Sequence, residues 1–385
     1  MAYTLLLLLV FQTPTPEPLL QKPAPALRVH AGGVEKATYL GWQGNHPLGS
    51  SKSDAEEWIA WQWDRPMSLE GKWKLSLVNG SQLRGQPIGG TADFLNWQGS
   101  IPGVAPVRVN LLEVREIKRT AVALAPSSQD QLVLQTPQGN RDRHQGWLLA
   151  VDEPGVLFEE VGGANHYSWT KIQHLSLHLE GASVSSQHPW ISFSDGSVLR
   201  AEILDSGREF LKLRLGVDGV VKIPLTSVVR IRRGDQQIVD LSQRPWSHAV
   251  WVKDTTIPRG PQRNLSVEGR PMRVSGQVWP HGIGVFGPTS LSFRLEKPGI
   301  LLFQVGIDDE TNGFHRRQAV TLRIRHQSDI LWEETWTPEK APMPQLISIP
   351  KPGVLHLEVL SKGSGGHVDW LDPVIWIPPV TSHLD

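Results

Sequence analysis

The sequence predicts an all-β protein in which three small repeated sheets precede a larger β-sandwich. Glycine (36 residues) and proline (30 residues) both exceed their average usage, which favours many turns and short strands over long helices. A strand–turn–strand pattern recurs in the first part of the chain, and alternating apolar strands without a helical period fill the last part. The 385 residues are enough for several domains, each with its own core.

The composition excludes several classes of site. The formal net charge is zero, and this balance gives no indication of a nucleic-acid partner. The chain has no cysteine, which excludes disulfides, thiolate metal sites and a cysteine nucleophile. Sixteen tryptophans stand against three tyrosines. Most of these large rigid side chains are expected in cores, and the rest suit contacts with sugars or proteins.

Residues 1–26 are interpreted as a signal peptide followed by a proline-rich spacer. The apolar run at residues 5–11 has the length of a signal-peptide core and is too short to span a bilayer. No lysine or arginine precedes it and no small-residue cleavage site follows closely, so a frayed apolar start is the alternative. We find no other segment that could cross a membrane. The expected location is outside the cell, in the periplasm or in the cell envelope.

Three segments share one plan. Each has an apolar strand, a turn with glycine, and an arginine four residues after that glycine. The pairs are Gly80 and Arg84, Gly139 and Arg143, and Gly196 and Arg200. Such a repeat indicates one structural unit used three times. Four or five short strands in about 50 residues fit a strongly bent sheet or a small SH3-like β-barrel.

The predicted units cover residues 27–122, 123–182 and 183–238, and the sandwich covers residues 239–385. The first range includes a tryptophan-rich stretch at residues 27–66, for which one interpretation is a strand that completes the first unit. The arginines at 84, 143 and 200 are expected to serve the fold of their units. Arg230, Arg232 and Arg233 are expected on a solvated strand edge, where charge discourages pairing between sheets.

The last part of the chain alternates strongly. Strand candidates occupy residues 291–308, 319–336, 345–363 and 367–378, and Lys-Pro-Gly turns separate two pairs of apolar runs. Many short strands at regular spacing indicate a β-sandwich.

This region resembles the NPCBM family of carbohydrate-binding modules, which is also found attached to glycoside hydrolases of family 98. The resemblance covers residues 239–377, and its motifs are Gly282-Ile283-Gly284-Val285, Val305-Gly306-Ile307-Asp308-Asp309, the strand at 320–325, and His367-Val368-Asp369-Trp370-Leu371-Asp372. It implies a galactose-binding-like jelly-roll sandwich and recognition of glycans. The upstream units weakly resemble small β-barrel repeats that accompany such modules in large secreted bacterial proteins.

One position departs from the family. Relatives usually continue the first motif with a histidine, whereas Phe286 stands here. Its ring either replaces a sugar contact or fills the core and leaves the contact out.

The predicted carbohydrate-binding residues lie in the first and last motifs: Trp279, His281, Phe286, His367, Asp369 and Trp370. Trp279 and His281 precede the first motif strand, where an aromatic face and an imidazole suit a sugar site. The alternative gives Trp279 a place at the edge of the core. Trp370 fits the core better than a ligand contact, and Asp369 and His367 either face the rim or cap loops.

Asp308 and Asp309 end a strand and lead into an oxygen-rich turn, which suits structural Ca²⁺. The alternative is that Asp308 accepts backbone N–H bonds and fixes the loop. No other cofactor is expected.

We predict a secreted, non-catalytic protein whose last module binds carbohydrate, with the repeated units as scaffold or as a surface for protein partners. No HExxH, GxSxG, P-loop or GxGxxG motif stands in its proper context. Two alternatives stay open. One is a structural or adhesion protein whose modules bind proteins and no sugar. The other is a divergent glycoside hydrolase, because 38 acidic residues always permit a pair of carboxylates.

Overall fold

The computed structural model describes residues 25–43, 46–49, 58–63, 65–68, 71–119, 124, 127–179, 187–207, 209–215, 219–234, 238–251, 260–310, 319–360 and 366–378. These residues form β-strands joined by turns and by two single-turn 3₁₀ helices, Leu111–Glu113 and Leu225–Ser227, and the predicted all-β class is confirmed. None of the described segments is a helix long and apolar enough to cross a membrane.

The strands of the first half fall into four groups, which we call the N-terminal unit and units 1, 2 and 3. The N-terminal unit contains β1 (Pro25–His30), β2 (Gly33–Gln43), β3 (His46–Gly49) and β4 (Trp58–Trp63). Unit 1 contains β5 (Trp73–Leu77), β6 (Gln82–Gly90), β7 (Phe94–Gly99), β8 (Val107–Asn110) and β9 (Val114–Lys118). Unit 2 contains β10 (Asp130–Gln135), β11 (Arg141–Val151), β12 (Gly155–Glu160), β13 (Gly163–Ser168) and β14 (Ile172–Ser176). Unit 3 contains β15 (Trp190–Phe193), β16 (Val198–Arg200), β17 (Glu202–Ser206), β18 (Phe210–Leu215), β19 (Gly219–Pro224) and β20 (Val228–Arg232).

Units 1, 2 and 3 share one pattern of strand pairing. The first strand of each unit pairs with the last strand on one side and with the second strand on the other. The order is β9–β5–β6–β7–β8 in unit 1 and β14–β10–β11–β12–β13 in unit 2. Unit 3 has β20–β15–β16, then β17–β18–β19 after a break at Ala201. No path of pairings among the described strands returns to its start, so the units are open sheets and not closed barrels.

The described strands of the tryptophan-rich stretch pair with one another, and none of them pairs with a strand of unit 1. Their order is β4–β1–β2–β3, which repeats the start of the same pattern. Strand β4 then pairs with β20 of unit 3. The interpretation that residues 27–66 supply a strand that completes unit 1 is therefore wrong for the described strands. The reason is that β4 is apolar on both faces, and a central position between β1 and β20 buries both.

Serines after the repeated glycines join unit 1 to unit 3. The Ser197 hydroxyl accepts the backbone N–H of Arg84 at 2.9 Å, and the Ser81 hydroxyl accepts the backbone N–H of Arg200 at 2.8 Å. This reciprocal clamp lies beside the single pairing of β16 with β6. Asn140 follows the glycine in unit 2, where the turn is exposed.

The second half is the predicted β-sandwich. One sheet has the order β23 (Gln262–Arg263), β26 (Gly282–Phe286), β33 (His367–Trp376), β28 (Gly299–Ile307), β31 (Gln345–Ile349), with β21 (Ile238–Asp240) also on β33. The other has the order β22 (His248–Trp251), β27 (Thr289–Leu295), β32 (Gly353–Val359), β29 (Val320–His326), β30 (Asp329–Trp336). Apolar side chains of both sheets, including Phe293, Phe303, Trp336 and Trp370, form the core between them.

A hairpin of β24 (Met272–Val274) and β25 (Gln277–Trp279) covers the outer face of the first sheet. Glycines make this close approach possible. A Cβ atom at Gly306 would lie 2.2 Å from Cγ1 of Val274 in the hairpin, and one at Gly284 would lie 2.4 Å from the carbonyl oxygen of Leu265 in the segment before the hairpin. The motif glycines thus allow chain segments to pack closely on this face of the sheet.

The first sheet of the sandwich packs directly on the N-terminal unit and on unit 3. Leu302, Val374 and Trp376 form an apolar cluster with Val29 and Ile59 of the N-terminal unit. Beside this cluster lie two ion pairs, Arg230 with Asp372 and Arg232 with Asp240, the second at 3.2 Å.

The prediction that Arg230 and Arg232 lie on a solvated strand edge is therefore wrong. Strand β20 lies between β4 and β15, and both arginines are buried against the sandwich.

We expect Asp372→Ala to lower the free energy of unfolding by about 3–5 kcal/mol, because removal of one partner leaves the buried Arg230 charge uncompensated. Calorimetric and urea unfolding would measure it. The matched control is Glu202→Ala, which breaks the exposed Arg214–Glu202 pair and should cost at most about 1 kcal/mol. Equal effects of the two substitutions would contradict the assignment of Arg230–Asp372 as a structural pair.

Candidate functional site

The six predicted binding residues occupy four separate places. Trp370 lies in the sandwich core with 0% exposure, and its ring centroid is 5.6 Å from that of Phe303. A side chain in this position leaves no surface for a sugar. This is the core placement that the alternative interpretation of Trp370 described.

Phe286 and His367 face each other at one end of the first sheet, which we call the β26–β33 end. They are register partners in β26 and β33, and their rings meet edge to face with centroids 5.5 Å apart. Each residue is only 7% exposed. His367 Nε2 lies 3.7 Å from Glu268 Oε1, and Glu268 is an exposed residue on the turn above. Phe286 therefore packs against the histidine of the neighbouring strand and is not an open aromatic platform.

Asp369 lies beneath the hairpin, between Gly284 of β26 and Gly306 of β28. Burial raises the pKa of the Asp369 carboxyl well above its usual range, and a hydrogen bond to the nearby Asp308 carboxylate raises it further. Asp308 also accepts the backbone N–H groups of Glu310 at 2.7 Å and Arg273 at 3.2 Å. The two buried carboxyl groups thus tie the hairpin and the end of β28 to the sheet.

Asp309 holds the tip of the same hairpin. Its carboxylate oxygens accept the backbone N–H groups of Ser275 at 3.1 Å and Gly276 at 2.7 Å. Within the described residues, no group of three or more His, Asp or Glu side chains is arranged to hold a metal ion. Calcium at Asp308 and Asp309 stays a prediction, and the contacts of both residues fit the loop-fixing alternative.

Trp279 and His281 lie at the junction of the sandwich with the repeated units. The Trp279 side chain packs with Met272, Val274 and Leu371 and borders a largely apolar cavity of about 460 Å³. Trp63 and Met67, from the N-terminal unit and the segment after it, line the same cavity. Trp279 thus closes the edge of a small core and also faces the repeats.

His281 lies on the other side of the junction, in a second cavity of about 530 Å³. Its side chain is nearly fully buried, and its ring centroid is 6.1 Å from that of Trp190. Neither ring nitrogen has a hydrogen-bond partner among the described residues. Trp190, Arg200 and Asp240 also line this cavity. The sequence shows Arg200 as a repeat residue and Trp190 as the start of a strand, but no local pattern places either beside His281.

Burial lowers the pKa of His281 below its ordinary value of 6.5. The carboxylates of Asp240 and Asp372 oppose this lowering of the pKa. The positive charges of Arg232 and Lys74 add to it. His281 is therefore neutral in the folded protein at neutral pH.

We expect the buried neutral His281 to make the fold sensitive to acid. As the pH falls below about 6.5, His281 in the unfolded chain binds a proton, whereas the buried His281 of the folded chain stays neutral. The free energy of unfolding therefore decreases from about pH 6.5 until the pH passes the lower pKa of the folded state. His281→Phe should lose less stability than the wild type between neutral and acidic pH. Unfolding midpoints at several pH values would measure this loss. His248→Phe, at an exposed position in β22, is the control, and an unchanged pH profile in His281→Phe would contradict the prediction.

Comparison with known families confirms the resemblance seen in the sequence. The NPCBM/NEW2 domain model matches residues 238–376. No curated protein matches the chain.

Solved structures that are similar to the chain include three that contain carbohydrate-binding modules. The CBM51-2 and INT domains of Clostridium perfringens ZmpB, in complex with GlcNAc, are 15% identical, with 46% of this chain and 38% of that one covered and a TM-score of 0.33. CBM51 from Clostridium perfringens GH95, in complex with methyl-galactose, is 19% identical, with 36% and 99% covered and a TM-score of 0.31. The tandem CBM51 modules of Sp3GH98 from Streptococcus pneumoniae SP3-BS71 are 11% identical, with 64% and 88% covered and a TM-score of 0.33. This chain spans 38% of the ZmpB structure, and likenesses this weak assign no site.

Proposed function

We propose that this protein is a secreted, non-catalytic carbohydrate-binding protein, in which the sandwich recognises a glycan. The match of residues 238–376 to the NPCBM/NEW2 domain, a carbohydrate-binding module family, carries the proposal. Secretion stays a prediction, because residues 1–24, which include most of the predicted signal peptide and spacer, lie outside the described residues.

The β26–β33 end supplies the chemistry that the proposal needs. Weak sugar sites combine apolar surface with a few polar groups that fix orientation. Here the narrow exposed edge of the Phe286–His367 ring pair would provide the apolar part, and the imidazole of His367 with the carboxylate of Glu268 would provide hydrogen-bonding groups. Recognition would be reversible and weak at each site.

One pair of neighbouring carboxyl groups, Asp308 and Asp369, does not fit a glycosidase site. A glycosidase needs two carboxyl groups that face one another across an open cleft. Asp308 and Asp369 are at most 1% exposed and lie beneath the hairpin, where a polysaccharide has no access.

We expect the full chain to bind defined glycans on an array, and titration calorimetry with the best of them to give a measurable affinity. His367→Ala and Phe286→Ala should each weaken binding by roughly tenfold, which corresponds to about 1.4 kcal/mol. His248→Ala, in the other sheet, should bind like the wild type.

Each titration is run with and without calcium, and thermal unfolding checks that every variant folds. If the folded full chain binds no glycan under either condition, the proposal is wrong and the alternative of a structural or adhesion protein with protein partners is favoured. Turnover of the glycan that a single carboxylate substitution abolishes would favour the hydrolase instead.

A further inference from the structure

The cavity around His281, which we call the junction cavity, is built by three parts of the chain. Unit 1 contributes the turn at Asn79 and Gly80, unit 3 contributes Trp190 and Arg200, and the sandwich contributes Asp240 and His281. Its volume of about 530 Å³ lies in the range of small-molecule sites, roughly 300–1,000 Å³. Neither the sandwich nor the repeated units could form this cavity alone.

His281 gives the strongest indication of a ligand. It is only 6% exposed, it lines the cavity, and neither ring nitrogen has a partner among the described residues. A buried polar group without a partner costs roughly 1–3 kcal/mol, so such groups in folded proteins call for an explanation. A neutral imidazole offers one hydrogen-bond donor and one acceptor, which is the pattern that a hydroxyl group complements.

The wall opposite His281 is held in place before any ligand arrives. Arg200 and Arg232 are the register partners of Trp190 in the strands on either side. Their guanidinium carbons lie 5.4 and 6.0 Å from the Trp190 ring, so three side chains stand in one row. The ring also presses on the turn of unit 1, where a Cβ atom at Gly80 would lie 2.8 Å from the indole.

The charges that line the cavity balance. Arg115 and Arg200 stand against Glu116 and Asp240. Both carboxylates already have partners. Asp240 binds Arg232 and Ser242, and Glu116 binds Lys118, His174 and Ser76. The lining therefore provides many hydrogen-bonding groups without a net charge that would select an ion.

We infer that the junction cavity binds a neutral sugar residue through hydroxyl contacts to His281 and the polar groups around it. This inference rests on the proposed function, since it names a second sugar site on the same chain. His281 directly precedes β26 and Phe286 ends it, so the two residues are about 16 Å apart along the chain and this site is separate from the β26–β33 end. It also makes the repeated units a part of the binding surface.

Histidine-labelled NMR of the full chain tests the inference with glucose, galactose, mannose and N-acetylglucosamine as probes. The signal that disappears in His281→Phe identifies His281, and at least one of these sugars should shift it. His281→Phe keeps a ring of similar size but removes both nitrogens, and should weaken that binding at least tenfold. His367→Ala should leave the shift of the His281 signal unchanged.

The outcomes separate this site from the proposed function. One outcome is that array glycans bind, that His367→Ala abolishes this binding and His281→Phe does not, and that no sugar shifts the His281 signal. This outcome overturns the junction site and leaves the proposed function intact. No sugar binding by the folded full chain overturns both. Tighter binding of glucuronate than of glucose at His281 overturns the assignment to a neutral sugar. Thermal unfolding of each variant excludes loss of the fold as the cause.

Discussion

Two ion pairs between β20 and the first sheet of the sandwich constrain how the repeated units and the sandwich meet. Arg230 and Arg232 lie on β20, a central strand of the repeated units. Arg230 forms an ion pair with Asp372, and Arg232 forms one with Asp240, both in the first sheet of the sandwich. Buried charges are costly unless both partners stay in register, so this contact permits few relative positions of the two halves. The two cavities at the junction exist because the halves meet here. Asp372 and Arg230 border the apolar one, and Asp240 borders the polar one.

A bulge in β33 makes the first of these pairs possible. Leu302 pairs with Val374 and Gln304 pairs with Leu371, so Asp372 and Pro373 together oppose the single residue Phe303. Asp372 adopts a left-handed backbone conformation with φ of 46°. An extra residue in one strand re-aims a side chain, and here it accompanies the turn of the carboxylate towards Arg230. The same residue donates its backbone N–H to the carbonyl oxygen of His281, which places that histidine beside the ion pairs.

Local sequence patterns predicted the strands and the sandwich but not the surfaces on which these meet. Alternation and Gly-containing turns are local, and the tight packing at Gly284 follows from its motif. The contact between Arg230 and Asp372 joins residues 142 positions apart, and strand alternation carries no signal for such a partner. The sequence places Trp279 and His281 before the first motif strand, yet the repeated units that enclose them begin far upstream. Phe286 illustrates the same limit, because its partner His367 is adjacent only through the pairing of β26 with β33.

The glycine turn that recurs in units 1, 2 and 3 makes different contacts in different units. In units 1 and 3 a serine follows the glycine, and the two hydroxyls clamp each unit to the backbone of the other. This clamp holds Gly80 against the Trp190 ring, and only a residue without a side chain fits that contact. Unit 2 has Asn140 at the serine position and an exposed turn, and it lines neither cavity at the junction. The serine clamp therefore does more than stabilise a scaffold: it fixes the wall that faces His281, and it ties the repeated units to the proposed recognition site.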